Sequence, residues 1–184
     1  MHAFLPALLS CLLLLAGCGP LAIRDAERNA YVPARAGTFE LHREIAIRGG
    51  RTRAYLQGGA VVAGVNEFRP HCQLEVNSLQ DTPRIVAADT FTVTRVSTRT
   101  DQVVQSAPLQ LAAAPHYRAA PFFYNDGGEL RRMYAYLFFL HSDRQPDVRV
   151  LTCGGAFDTP GLAERPTLQE ITESLGTYGT LTLR

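Results

Sequence analysis

Apolar and polar residues alternate with a period of two over much of the chain, the pattern of half-buried strands. Phe39, Leu41, Ile45 and Ile47 fall on one face of a first extended run, with Glu40, His42 and Glu44 on the other. Arg48-Gly49-Gly50-Arg51 reads as a turn. Thr52–Gln57 and Ala60–Val65 flank Gly58-Gly59, two residues able to take the positive φ of a tight hairpin. Cys72, Leu74 and Val76 alternate with His71, Gln73, Glu75 and Asn77 as another half-buried strand. Phe91, Val93 and Arg95 alternate with threonines, and a turn at 99–101 is expected to return the chain through Val103 and Val104. Met133–Leu140 is apolar on both faces, as a central strand requires, and Val148–Cys153 follows a Gln145-Pro146-Asp147 turn.

The period changes to that of a helix only near the end. Thr167 and Glu170 make a capping box after Pro166; Leu168, Ile171, Thr172 and Leu175 form one stripe, and Gly176 suits the C-cap. Thr180–Leu183 can return as a short strand. The expected fold is mainly β, an antiparallel sandwich or open barrel with one short C-terminal α-helix. Residues 107–130, with Pro108, Pro115, Pro121 and the aromatic run Phe122-Phe123-Tyr124, break the alternation. A long segment without regular structure inside a compact domain is uncommon and often functional.

The N-terminus follows neither period. Thirteen of the first 17 residues are apolar. A membrane-spanning helix needs about 20 such residues to cover roughly 30 Å of hydrocarbon, so this run is too short and reads as a secretory signal peptide over 1–17. It closes on Leu15-Ala16-Gly17-Cys18. These four residues resemble the lipobox of bacterial lipoproteins. The resemblance implies a diacylglyceryl thioether on Cys18, cleavage before it and acylation of the new amino group. One acyl chain binds a bilayer marginally and two or more anchor stably, at ~0.8 kcal/mol per buried methylene. In the family's sorting rule Asp after the cysteine retains the protein in the inner membrane. Gly19 stands there, so the outer membrane is favoured, with the domain facing the periplasm. Residues 18–37 then read as the lipidated N-terminus and a tether, with a weak helical stretch at 23–30. Residues 38–184 read as one periplasmic β-rich domain.

Composition narrows the function. Eighteen basic residues, all Arg, face seventeen acidic ones for a net charge of +1, a balance that does not mark a nucleic-acid binder. Of four cysteines, Cys11 leaves with the signal peptide and Cys18 carries lipid. Cys72 and Cys153 remain, and in an oxidising periplasm a disulfide is the simplest reading. Two buried thiols, or a thiolate ligand beside His71, are the alternatives. With no CxxC or HxxxH and scattered histidines, no metal site is assigned. No cofactor beyond the covalent lipid on Cys18 is expected.

No catalytic residue is assigned either. There is no nucleophile elbow, P-loop or dinucleotide fingerprint. His141-Ser142-Asp143 has triad residue types, but neighbours on an extended chain point to opposite faces. Arg69, His71, Arg144 and Arg149 flank the two cysteine strands and would converge on a carboxylate or phosphate if the disulfide brought them together. Pairing of these arginines with nearby carboxylates at the sheet rim is the plainer reading. Phe122, Phe123 and Tyr124 are a candidate partner-facing patch. Across Asn66–Asn77, Gln145–Gly155 and Pro166–Leu181 the chain also resembles small proteobacterial lipoproteins without assigned activity, which implies the anchor, the disulfide and the helix. The expected function is binding or structural, with the membrane and an envelope protein as partners. Small-ligand binding or hydrolysis under the 107–130 loop is the alternative.

Overall fold

The computed structural model describes residues 21–105 and 129–184. Twelve strands, one α-helix and a 3-10 turn at Gly176–Tyr178 are described: β1 (Ala22–Asp25), β2 (Ala30–Pro33), β3 (Gly37–Leu41), β4 (Ile45–Ile47), β5 (Arg53–Gln57), β6 (Ala60–Val62), β7 (His71–Val76), β8 (Arg84–Val86), β9 (Asp89–Gln105), β10 (Glu129–His141), β11 (Val148–Gly154), α1 (Leu168–Leu175) and β12 (Gly179–Leu183). Eight of them form one antiparallel sheet in the order β12-β3-β9-β10-β11-β7-β5-β6, curled into a half-barrel. Two-stranded pairs β1-β2 and β4-β8 stand beside it. The expected mainly β, open-barrel-like fold with a short C-terminal helix is what forms.

One sheet face carries the core. Phe39, Phe91, Phe138, Leu74 and Leu151 are among its fully buried side chains, and Ile171 and Leu175 of α1 pack into it. Thr167 caps α1 through its hydroxyl while the Glu170 carboxylate returns to the Thr167 N–H. Both partners were legible because the motif is local. Gly58 and Gly59, at φ 58° and 77°, make the β5–β6 turn.

Cys72 and Cys153 lie directly opposite on β7 and β11 and are bonded, with Cα atoms 4.1 Å apart. The free-thiol and metal-ligand alternatives fall away.

Four expectations are corrected. Residues 39–47 are not one strand. β3 joins the large sheet and β4 pairs with β8, so Phe39 and Ile45 reach the same core from different sheets. The turn expected at 99–101 does not form. β9 runs unbroken for 17 residues, because the stretch is rich in β-branched residues and Arg99 and Asp101 pair along one face (Nη2–Oδ2 3.0 Å). β7 is buried on both faces rather than one. Its polar side is closed by hydrogen bonding: Gln73 donates to Glu75 (2.6 Å), Arg149 donates to Glu75 (2.8 Å), and Arg53 reaches Gln73 (3.4 Å). Buried polar groups persist when they are paired in this way.

The fourth correction concerns residues 18–37. From Leu21 onward they are not an open tether and hold no helix. β1 and β2 form a hairpin whose turn places Asn29 at φ 48°. Ile23 is fully buried and Ala34 nearly so, while Ala34 N–H donates to the Leu21 carbonyl (2.8 Å). The burial of Ile23 fixes the hairpin as part of the folded unit.

Candidate functional site

The hairpin, the near end of β10 and the segment before α1 enclose a groove. Alternation along β1 sends Ile23 inward and leaves Ala22 and Arg24 on the other face, and Arg24 pairs across the hairpin with Tyr31. Alternation along β10 likewise places Tyr134 and Tyr136 on one side, two residues apart. The chain leaves β11 at Gly154, and Asp158 bridges back to Arg132 through both backbone bonds (2.8 and 3.0 Å). That return brings Arg165 over the Tyr134 ring, with its guanidinium carbon 5.3 Å from the ring centre. Gln169 of α1 ties the hairpin down, donating to Asp25 (2.7 Å) and accepting from Ala26 N–H (2.8 Å).

The result is a cavity of about 470 Å³ lined by Arg24, Tyr31, Tyr134, Tyr136 and Arg165. A neighbouring cavity of about 400 Å³ shares Arg24, Glu164, Arg165 and Thr167, and is walled by Asp158 and Leu162. Tyr136 is the buried member. Its hydroxyl donates to the Ala22 carbonyl (3.3 Å), and burial raises its pKa, opposed by Arg165 and assisted by Tyr31. The phenol therefore stays a neutral donor. Arg132 reaches the Tyr134 hydroxyl at 3.5 Å. The aromatic faces and the exposed Arg24 and Arg165 guanidinium groups, with Glu164 on the same lining, give the groove the means to bind an anionic group, since Arg binds phosphate or carboxylate with paired donors. Among the described residues no group of three or more His, Cys, Asp or Glu could hold a metal ion.

The residues singled out in the sequence fare differently. The disulfide does form between the two cysteine strands, yet Arg69, His71, Arg144 and Arg149 do not converge. β7 and β11 are antiparallel, so His71 faces Gly154 at one end while Arg149 lies beside Glu75 near the other. Arg144 pairs with Asp89, and the His71 Nδ1 lies 3.3 Å from the Arg69 carbonyl. His141 and Asp143 are exposed and 3.2 Å apart, whereas Ser142 turns inward to Asp89 (2.7 Å). No triad forms there. Cys18 and Phe122, Phe123 and Tyr124 lie outside the described residues.

The groove itself escaped the sequence reading. The spacing of Tyr134 and Tyr136 was its one available signal; Arg24 and Tyr31 sat in a stretch read as tether. No protein-family model, curated protein or solved structure matches the chain.

Proposed function

We propose that this chain is a lipoprotein of the bacterial cell envelope, exported on residues 1–17, acylated at Cys18 and held at the membrane with its β-rich domain in the periplasm. Its work is binding, or structural support, rather than catalysis. The observation that carries this reading is Leu15-Ala16-Gly17-Cys18 closing a leucine-rich hydrophobic run. Gly19 after the cysteine favours the outer membrane. The groove of tyrosines and arginines supports the binding half of the proposal, because its groups recognise an anion without bringing a nucleophile to a base. Small-ligand binding or hydrolysis under residues 107–130 is the second reading, favoured by β9 and β10 carrying both ends of that segment past the groove.

Intact mass of protein from detergent-solubilised membranes should exceed that of the chain from residue 18 by a diacylglyceryl group and an acyl chain. Cys18→Ser should lose the lipid mass increment and retain residues 1–17, uncleaved. An unmodified Cys18 in the wild type would end the proposal. Photo-crosslinking from Phe122–Tyr124 in intact cells should recover an envelope protein, and recovery of none counts against a protein partner at that segment.

A further inference from the structure

Leu21 already packs against the core and Ala22 lines the groove. Three peptide units separate Cys18 from Leu21, a span of at most about 11 Å. Resting on the proposed acylation of Cys18, we infer that the groove end of the domain docks on the headgroups of the bilayer that holds the anchor, with Arg24 and Arg165 on lipid phosphates.

The surface around the groove has the matching chemistry. Tyr31 is 72% exposed and Leu162 68% exposed, one beside each of the two adjoining cavities. Large exposed apolar side chains beside tyrosines and arginines form the combination that settles at the membrane–water interface, where rings and aliphatic stems enter the acyl boundary and polar tips stay wet. Phe68, 49% exposed, lies at the same end, because its neighbour Glu67 accepts from Phe157 N–H (2.8 Å). Glu164 and Asp158 share the rim, so attraction rests on amphipathic character and local guanidinium–phosphate pairs rather than on net charge. Little intrinsic affinity is needed, since the anchor holds the face at high effective concentration beside the bilayer. The other end also exposes apolar side chains, Leu79 at 63% and Ile85 at 56%, so distance from the anchor is what sets the two ends apart. β10 runs from the groove at Tyr134 to His141, about 23 Å at the rise of a strand. Beyond it lie Leu79 and Ile85, next to Ser78 and Arg84, which both bond to Asp147.

The chain has no Trp, so a single substitution gives a sole reporter. Tyr31→Trp, Leu162→Trp and Leu79→Trp would be made in the full-length lipidated protein and reconstituted into phosphatidylethanolamine–phosphatidylglycerol vesicles carrying brominated acyl chains. Emission from residues 31 and 162 should shift to shorter wavelength and be quenched at least about twofold more than emission from residue 79, as for rings at headgroup level. Equal quenching at the three sites in protein that still floats with the vesicles overturns the docking face and leaves acylation standing. Protein that fails to float and has an unmodified Cys18 overturns both. A photo-crosslinker at residue 31 that captures a protein instead of lipid in intact cells also overturns the docking face.

Discussion

Asp89 is a carboxylate buried among donors: Ser142, Arg144, Gln145 and the Thr90 N–H all point at it. Burial raises its pKa, but these hydrogen bonds outweigh burial and hold it well below the usual carboxylate range. Asp147 is lowered in the same way, with burial opposed by Ser78 and Arg84. A carboxylate with a depressed folded pKa contributes stability above its unfolded value, near 4, and loses it as pH falls toward the folded value. His71 adds to this. Burial lowers its pKa, so the native state resists its protonation and loses stability as pH drops below about 6.5. Asp89→Ala should cost about 1–3 kcal/mol at pH 7, because the buried Ser142 hydroxyl loses its acceptor. In urea titrations the gap between variant and wild type should narrow steadily below pH 4; a gap that stays constant down to pH 2 would show that the carboxylate's charge is not the source. None of this was readable in the sequence. Asp89 stands far along the chain from Ser142 and Arg144, and only the β9–β10 register brings them together.

At the scale of elements, legibility followed locality. The capping box of α1 and the Gly58-Gly59 turn are written within a few residues, and both form as expected. β1 and β2 have four residues each, too short for alternation to stand out, and their stability comes from α1 and the core. The end of α1 adds a contact no local pattern reveals. Gly176 has positive φ (54°) as a C-cap glycine should, but its ψ of −130° lies outside the left-handed helical basin. A Cβ there would stand 2.3 Å from the Gly59 Cα. The helix end and the β5–β6 turn thus meet backbone to backbone. Gly176→Ala should cost about 2–3 kcal/mol from the clash and the unfavourable φ together. Gly58→Ala, with open space around it, should cost only about 1 kcal/mol, from the backbone alone. Equal midpoint shifts for the two variants in chemical denaturation would mean that the glycine–glycine contact adds nothing.

For the whole molecule, the strongest single constraint is the Cys72–Cys153 bond, which closes a loop with a sequence separation of 81. On chain entropy alone such a loop stabilises by about 4–5 kcal/mol. Paired Cys72→Ala and Cys153→Ala changes should remove an amount of that order in a denaturation experiment. Alkylation of native protein should label neither sulfur until a reductant is added, and ready labelling without reductant would contradict the bond. The bond was legible from counting cysteines. The strands it joins were legible as strands. That they are immediate neighbours was not, because neighbourhood in a sheet is a property of the complete topology.

That adjacency fixes more than a distance. A one-residue slip between two strands turns every side chain of one of them to the opposite surface, and the two sulfurs could then no longer meet. The cystine is thus a record of alignment. Once sealed, it admits a single phase between the two parts of the half-barrel, and a misaligned sheet stays distinguishable from the finished one by its unspent thiols.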